Sequence, residues 1–166
     1  MAKVKFKGNP ANTVGELPKV GDKAPDFQLA TGDLARVGLD DFKGSKLVLN
    51  VFLSLDTGTC ASTVRYFNKT AATLENTKVL CISRDLPFAQ SRFCVAEGLD
   101  NVVTLSDFNP GSFGKNYGLE IADGPQAGLL SRVVIIIDEN GIVKYTQQVQ
   151  EMSHEPDYEE VLKAIN

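Results

Sequence analysis

The chain predicts an α/β protein with a mixed central sheet flanked by helices, and three observations carry that prediction. Apolar runs of strand length at 47–53, 79–82, 102–105 and 132–138 alternate with stretches of helical periodicity. Glu139-Asn140-Gly141 separates two strand-like runs and marks a β-hairpin. Hairpin strands are antiparallel while helix-connected strands run parallel, so such a sheet is mixed. The 166 residues suit a single domain, which at this size buries most of its apolar surface.

Each element follows from local pattern. Val4 and Phe6 alternate with lysines before Gly8-Asn9-Pro10, and residues 13–17 follow the break, which reads as a small N-terminal hairpin. Pro18, Gly21 and Pro25 mark a loop. Residues 27–30 and 35–39 are short strands around Thr31-Gly32-Asp33. The run 47–53 is nearly all apolar, as expected of a strand covered on both faces. Val64, Phe67, Ala71 and Leu74 then recur at helical spacing and predict a helix over 61–74. After the buried strand 79–82, Leu86-Pro87 opens a second helix over 88–97, closed by Gly98. A strand at 102–105 and a helix of at most two turns at 112–117 precede the hairpin arms 132–138 and 142–149. A helix over 156–165 completes the pattern.

Composition excludes several function classes. A net charge of −4 gives no basic surface for nucleic acid or an anionic membrane. The lysines at the N-terminus are followed by no apolar segment, so no signal peptide is expected there. The apolar runs are far too short to span a bilayer, and a cytoplasmic address is the expectation. In a reducing compartment three cysteines do not make a structural disulfide framework; a disulfide there is transient and chemical.

The cysteines differ by position. Cys81 lies inside Val-Leu-Cys-Ile, where a small hydrophobe serves equally well, and is expected to be inert core. Cys60 stands where the strand 47–53 has broken into a polar loop and a helix begins. With Thr57 as N-cap it is the third helical residue; with Thr59 it is the first. Either way the sulfur lies in the first turn, whose unpaired N–H groups and dipole favour a thiolate. Cys94, on the second helix, is expected to be half-buried, and its interest is as a partner thiol.

No base for Cys60 is evident. His154 is the only histidine, reads as a solvent-exposed loop residue, and makes cysteine–histidine hydrolysis a weak hypothesis. Cysteine spacings of 21 and 13 residues match no zinc pattern, and there is no Cys-x-x-Cys. Positive charge must then come from arginine. Arg65 points to a different helix face from Cys60, which leaves Arg84, Arg92 and Arg132 open. A guanidinium near Cys60 would stabilise a thiolate without taking its proton, and would polarise an incoming oxygen. Thr57 adds a hydroxyl that both donates and accepts. Such a site suits attack on an O–O bond to give a sulfenic acid, which condenses with a second thiol.

At this point the chain resembles the bacterial thiol peroxidases, the atypical two-cysteine class of the peroxiredoxins. The most specific segments are Asp56-Thr-Gly-Thr-Cys60, Leu80-Cys-Ile-Ser83, Asp85-Leu-Pro-Phe-Ala-Gln-Ser-Arg-Phe-Cys94 and Ile121-Ala-Asp-Gly-Pro125. The resemblance implies a thioredoxin-like fold with an N-terminal β-hairpin, a homodimer, and no cofactor or metal. It implies reduction of hydrogen peroxide and organic hydroperoxides with electrons from thioredoxin. It makes Cys60 the peroxidatic cysteine, Cys94 the resolving one in an intramolecular disulfide, and Thr57 and Arg132 the active-site threonine and arginine. One position departs from the family pattern Pro-x-x-x-Thr-x-x-Cys: Leu53 stands where proline is usual. Two rival readings are a general thiol–disulfide oxidoreductase, disfavoured by the missing Cys-x-x-Cys, and a non-enzymatic redox sensor.

Overall fold

The structure, a computed structural model, describes residues 2–165. The chain opens on an antiparallel hairpin of β1 (Lys3–Phe6) and β2 (Asn9–Asn12). Lys7 and Gly8 both take positive φ, 50° and 84°, the two-residue turn that matches strand twist. The second arm is therefore 9–12 and not 13–17. Pro10 fits because Lys5 opposite it turns its N–H and C=O outward, to Gln150 O (2.6 Å) and Met152 N (2.7 Å). The pair needs no ladder bond that a proline would lose.

The main sheet has seven strands in the order β4-β3-β7-β6-β5-β8-β9. Its parallel centre is β5 (Lys46–Val51), β6 (Thr77–Ser83) and β7 (Val103–Ser106). Antiparallel strands flank it: β3 (Leu29–Ala30) and β4 (Arg36–Val37) on one side, β8 (Val133–Ile137) and β9 (Val143–Gln148) on the other. The mixed sheet and the thioredoxin-like fold are as expected. Strand β4 is shorter than 35–39 because Leu39–Phe42 winds into a 3-10 turn, where Gly38 N–H donates to the Asp41 carboxylate at 2.7 Å.

Helix α1 (Gly58–Ala71) starts and ends three residues earlier than the 61–74 that its apolar periodicity predicts. Helix α2 (Pro87–Glu97) has Pro87 in its first turn and ends at Gly98 in the left-handed conformation. Helix α3 (Ser112–Asn116) is short, and α4 (Tyr158–Ile165) starts later than 156 because the Asp157 carboxylate accepts the Glu160 N–H (3.1 Å) and caps it there.

Strand alternation divides the core in two. Val48, Val79, Cys81, Val134 and Ile136 face one layer, with Val64 and Phe67 of α1, Val161 and Ile165 of α4, and Val4 and Ala11 of the hairpin. Leu47, Leu49, Val51, Leu80, Ile82, Val133, Ile135 and Ile137 face the other, against Phe27, Phe113 and Tyr117. The apolar runs of β5, β6 and β8 are continuous because both faces are covered.

Candidate active site

Two adjacent central strands bring the site together. β5 leads through a loop into α1, and β8 pairs antiparallel with β5, with Val133 opposite Val51. Arg132 thus sits one step beyond that pair, at the end of β5 from which the loop to Cys60 departs. The β5 ladder continues to Phe52 N–H, which donates to Ile82 O at 3.1 Å. The loop is then pinned by Asp85, whose carboxylate accepts Ser54 Oγ (2.7 Å), Leu55 N–H (2.8 Å) and Ser83 Oγ (2.6 Å).

Thr57 occupies the N-cap position with extended backbone (φ −102°, ψ 141°), so Cys60 is the third helical residue. Its hydroxyl does not cap the helix. Both Thr57 Oγ1 (2.9 Å) and Thr57 N–H (3.1 Å) donate to Ser54 O, which closes the loop into a tight turn.

Cys60 is fully buried, and Arg132 is 1 % exposed. Arg132 Nη2 donates to Cys60 Sγ at 3.0 Å, and Nε donates to Met152 O at 2.9 Å. Nη1 is buried with no hydrogen-bond partner. Of the arginines left open by sequence, only Arg132 reaches the sulfur. Arg84 is engaged with Asp107, Glu120 and the carbonyls of Gly111 and Gly128. Arg92 lines a separate groove with Asp56, Asp85 and Phe93. Arg65 pairs with Glu97 and stands over the Phe93 ring. His154 is exposed.

Over this pair opens a cavity of about 360 Å³ lined by Phe6, Lys7, Leu53, Thr57, Gly58, Thr59, Arg132, Met152 and Ser153. Above Arg132, its walls come from four places: the hairpin, Leu53 just past β5, the start of α1, and the strap 150–153 after β9. The strap is held by backbone bonds to Lys5, by Thr59 Oγ1 donating to Ser153 O (2.9 Å), and by Glu151. Sequence reasoning missed it. A carbonyl acceptor such as Met152 O leaves no side-chain signature, and the strap has no periodicity.

Cys94 lies elsewhere. It is half-buried on α2, and its Sγ is 3.8 Å from Thr104 Oγ1 of β7. Burial raises its pKa above the ordinary thiol value; the Thr104 hydrogen bond offsets part of this and Asp100 adds to it. Strands β7 and β8 are three spacings apart in the sheet, about 14 Å. All three thiols are free. Cys81 is core: burial pushes its pKa up to about 12, against a smaller lowering from Asn50 Nδ2–H at 3.6 Å. Among the described residues no group of three or more His, Cys, Asp or Glu side chains is placed to hold a metal, and no helix is long and apolar enough to cross a membrane.

A buried cysteine in the first turn of a helix, bonded to a buried guanidinium under a cavity, defines a thiol-chemistry protein on a thioredoxin-like scaffold. The redoxin family model matches residues 19–162. The chain is 55% identical to a thiol peroxidase of Corynebacterium glutamicum over 166 residues, covering 100% of both chains. It is 52% identical to a thiol peroxidase of Mycobacterium tuberculosis over 165 residues, 99% of each. A solved peroxiredoxin-like protein from Aquifex aeolicus superposes with a TM-score of 0.93 at 40% identity, covering 99% of this chain and 96% of that one. The chain belongs to the redoxin family, and within it to the thiol peroxidases, oxidoreductases of peroxiredoxin type.

Proposed function

We propose that the peroxide reduction of this family is carried out here by Cys60 as nucleophile, with Arg132 and Thr57 at its side and Cys94 as resolving thiol. The observation that carries the reading is the 3.0 Å bond from Arg132 Nη2 to Cys60 Sγ. A donor of fixed positive charge favours the anionic form of the group that accepts from it, and the thiolate is the nucleophile. The sulfur attacks one peroxide oxygen, the O–O bond breaks, and the other oxygen leaves as alcohol or water once protonated. Arg132 Nη1, buried and unpartnered, is a donor for the peroxide as charge builds on the departing oxygen. Thr57 Oγ1 lines the same cavity and can exchange its bond to Ser54 O for one to the peroxide.

The Cys60 sulfenic acid then condenses with the Cys94 thiol, forming an S–S bond and releasing water. A disulfide needs alpha carbons within about 7 Å, and with Cys60 in the first turn of α1 and Cys94 in the C-terminal half of α2 beside β7, that step is expected to open both segments locally. A dithiol of thioredoxin reduces the disulfide by exchange and returns both thiols. The substrates are hydrogen peroxide and organic hydroperoxides, and the apolar walls Phe6, Leu53 and Met152 suit the latter. The working form is a homodimer in the cytoplasm; exposed Leu86 and Phe88 at the head of α2 offer a second copy an apolar surface.

The test is peroxide consumption driven by thioredoxin, its reductase and NADPH. Cys60→Ser and Cys94→Ser are expected to abolish turnover, and Cys81→Ser to retain it. Absence of turnover with the unmodified protein refutes the assignment, and normal turnover by Cys94→Ser removes the resolving role.

A further inference from the structure

The strap that holds Arg132 is itself organised around one carboxylate that the proposed chemistry does not use. Glu151 Oε2 accepts Lys7 N–H (2.9 Å), Ser153 N–H (3.2 Å) and Ser153 Oγ–H (2.8 Å), and Oε1 accepts Gly8 N–H (2.8 Å). The hairpin turn is why Lys7 and Gly8 can converge on it: two successive residues of positive φ aim their N–H groups at one anion. These bonds hold the Glu151 carboxyl down at about 2, the Ser153 hydroxyl contributing most. On either side of Glu151 the strap touches the site. Met152 O accepts from Arg132 Nε, and Ser153 O accepts from Thr59 in the first turn of α1.

We propose that Glu151 is a positioning residue: by binding the hairpin turn and Ser153 together, it fixes the carbonyl that aims Arg132 at Cys60. A guanidinium is a rigid planar fork, so the Nε anchor sets where Nη1 and Nη2 point. A strap free to shift by an ångström would misalign both the sulfur contact and the donor left for peroxide. The inference rests on the reading of Cys60 and Arg132 above.

Asp123 supplies the matched control. Its carboxylate also anchors the hairpin, accepting Asn12 N–H and Nδ2–H at 2.8 Å each, yet it has no bond to the strap. The experiment compares Glu151→Ala, Glu151→Gln, Asp123→Ala and Arg132→Lys. Its readouts are the second-order rate with hydrogen peroxide by stopped flow and the pH profile of Cys60 alkylation by iodoacetamide.

Glu151→Ala is expected to slow peroxide reduction by about tenfold to a hundredfold, the scale of a small misplacement of a catalytic group, and to move the alkylation profile to higher pH. Glu151→Gln keeps an acceptor for three of the four donors but faces Gly8 N–H with an amide donor, and is expected to show a smaller change in the same direction. Asp123→Ala is expected to lower thermal stability and leave the alkylation profile in place. Wild-type behaviour of Glu151→Gln in both readouts overturns the proposal even if the alanine variant does not fold. Equal changes in Glu151→Ala and Asp123→Ala also overturn it, since generic hairpin loosening then suffices. If Arg132→Lys leaves both readouts unchanged, the reading of the site fails; if it changes them while the Glu151 variants do not, only the role of Glu151 fails.

Discussion

Leu53 is 3 % exposed on the cavity wall, one residue past the last β5 ladder bond, at the position where the family pattern has proline. Proline would fix φ near −65° and delete a backbone donor, stiffening the chain just before the Ser54–Thr57 turn. Leucine does not fix that φ, so the loop carrying Thr57 relies on the Asp85 bonds and on the Ser54–Thr57 turn. Leu53→Pro is therefore expected to speed peroxide reduction severalfold and to change the yield of overoxidised sulfur, the scale being that of modest misalignment. Stopped-flow rates and mass spectrometry of the Cys60 peptide check this; equal rates with equal overoxidation in both proteins reject it. Among the arginines, too, the decision is made by placement. Nothing in the residue type distinguishes Arg132 from Arg84, and only the pairing of β8 with β5 carries Arg132 to the sulfur.

At the scale of elements, the proposed disulfide joins two helices whose thiols are held by different parts of the sheet, one beside β7 and one beside the start of β8. Both helix starts hang from loops tied by Asp85, and Arg65–Glu97 joins α1 to α2 further along. Oxidation is expected to cost the first turn of α1 and the stretch of α2 leading to Cys94 their order. Hydrogen exchange on the peroxide-treated chain should show faster exchange at 54–60 and 87–94 than on the thiol form, with β5 and β6 unchanged. Unaltered protection in both helices would mean that the thiols meet without local opening. The helices are legible in sequence from apolar spacing, but that spacing alone misplaces their ends: α1 runs over 58–71 where it points to 61–74, and α4 waits for its Asp157 cap. The second hairpin strand was hidden by Pro10, tolerable only because of which pair it belongs to. Cys60 and its place in a first turn were readable; the strap was not, since its contacts are mostly backbone.

For the whole molecule, two groups bracket a pH window of stability. Cys81 ionises near 9.0 in an unfolded chain and at about 12 in the folded one. Its burial is fully favourable below pH 9 and is lost as pH rises from there toward 12, at most about 1.4 kcal/mol per pH unit. Glu151 titrates near 4.5 when unfolded and at about 2 when folded. Its contribution is present above pH 4.5 and disappears as pH falls through 2. Urea midpoints measured across pH should fall on both flanks, Cys81→Ala flattening the alkaline one and Glu151→Gln the acid one; parallel curves for variants and wild type would refute the assignment. Arg132 completes the electrostatic account. Among the described residues this buried cation has a carbonyl and a sulfur for partners but no carboxylate. A buried cation that loses a partner is strongly destabilised. In the proposed cycle, oxidation of Cys60 takes its sulfur away from Nη2 and leaves the guanidinium with the Met152 carbonyl, so the spent site carries its own electrostatic drive toward opening to water. Each reduction of the disulfide would return that partner and draw the pocket shut.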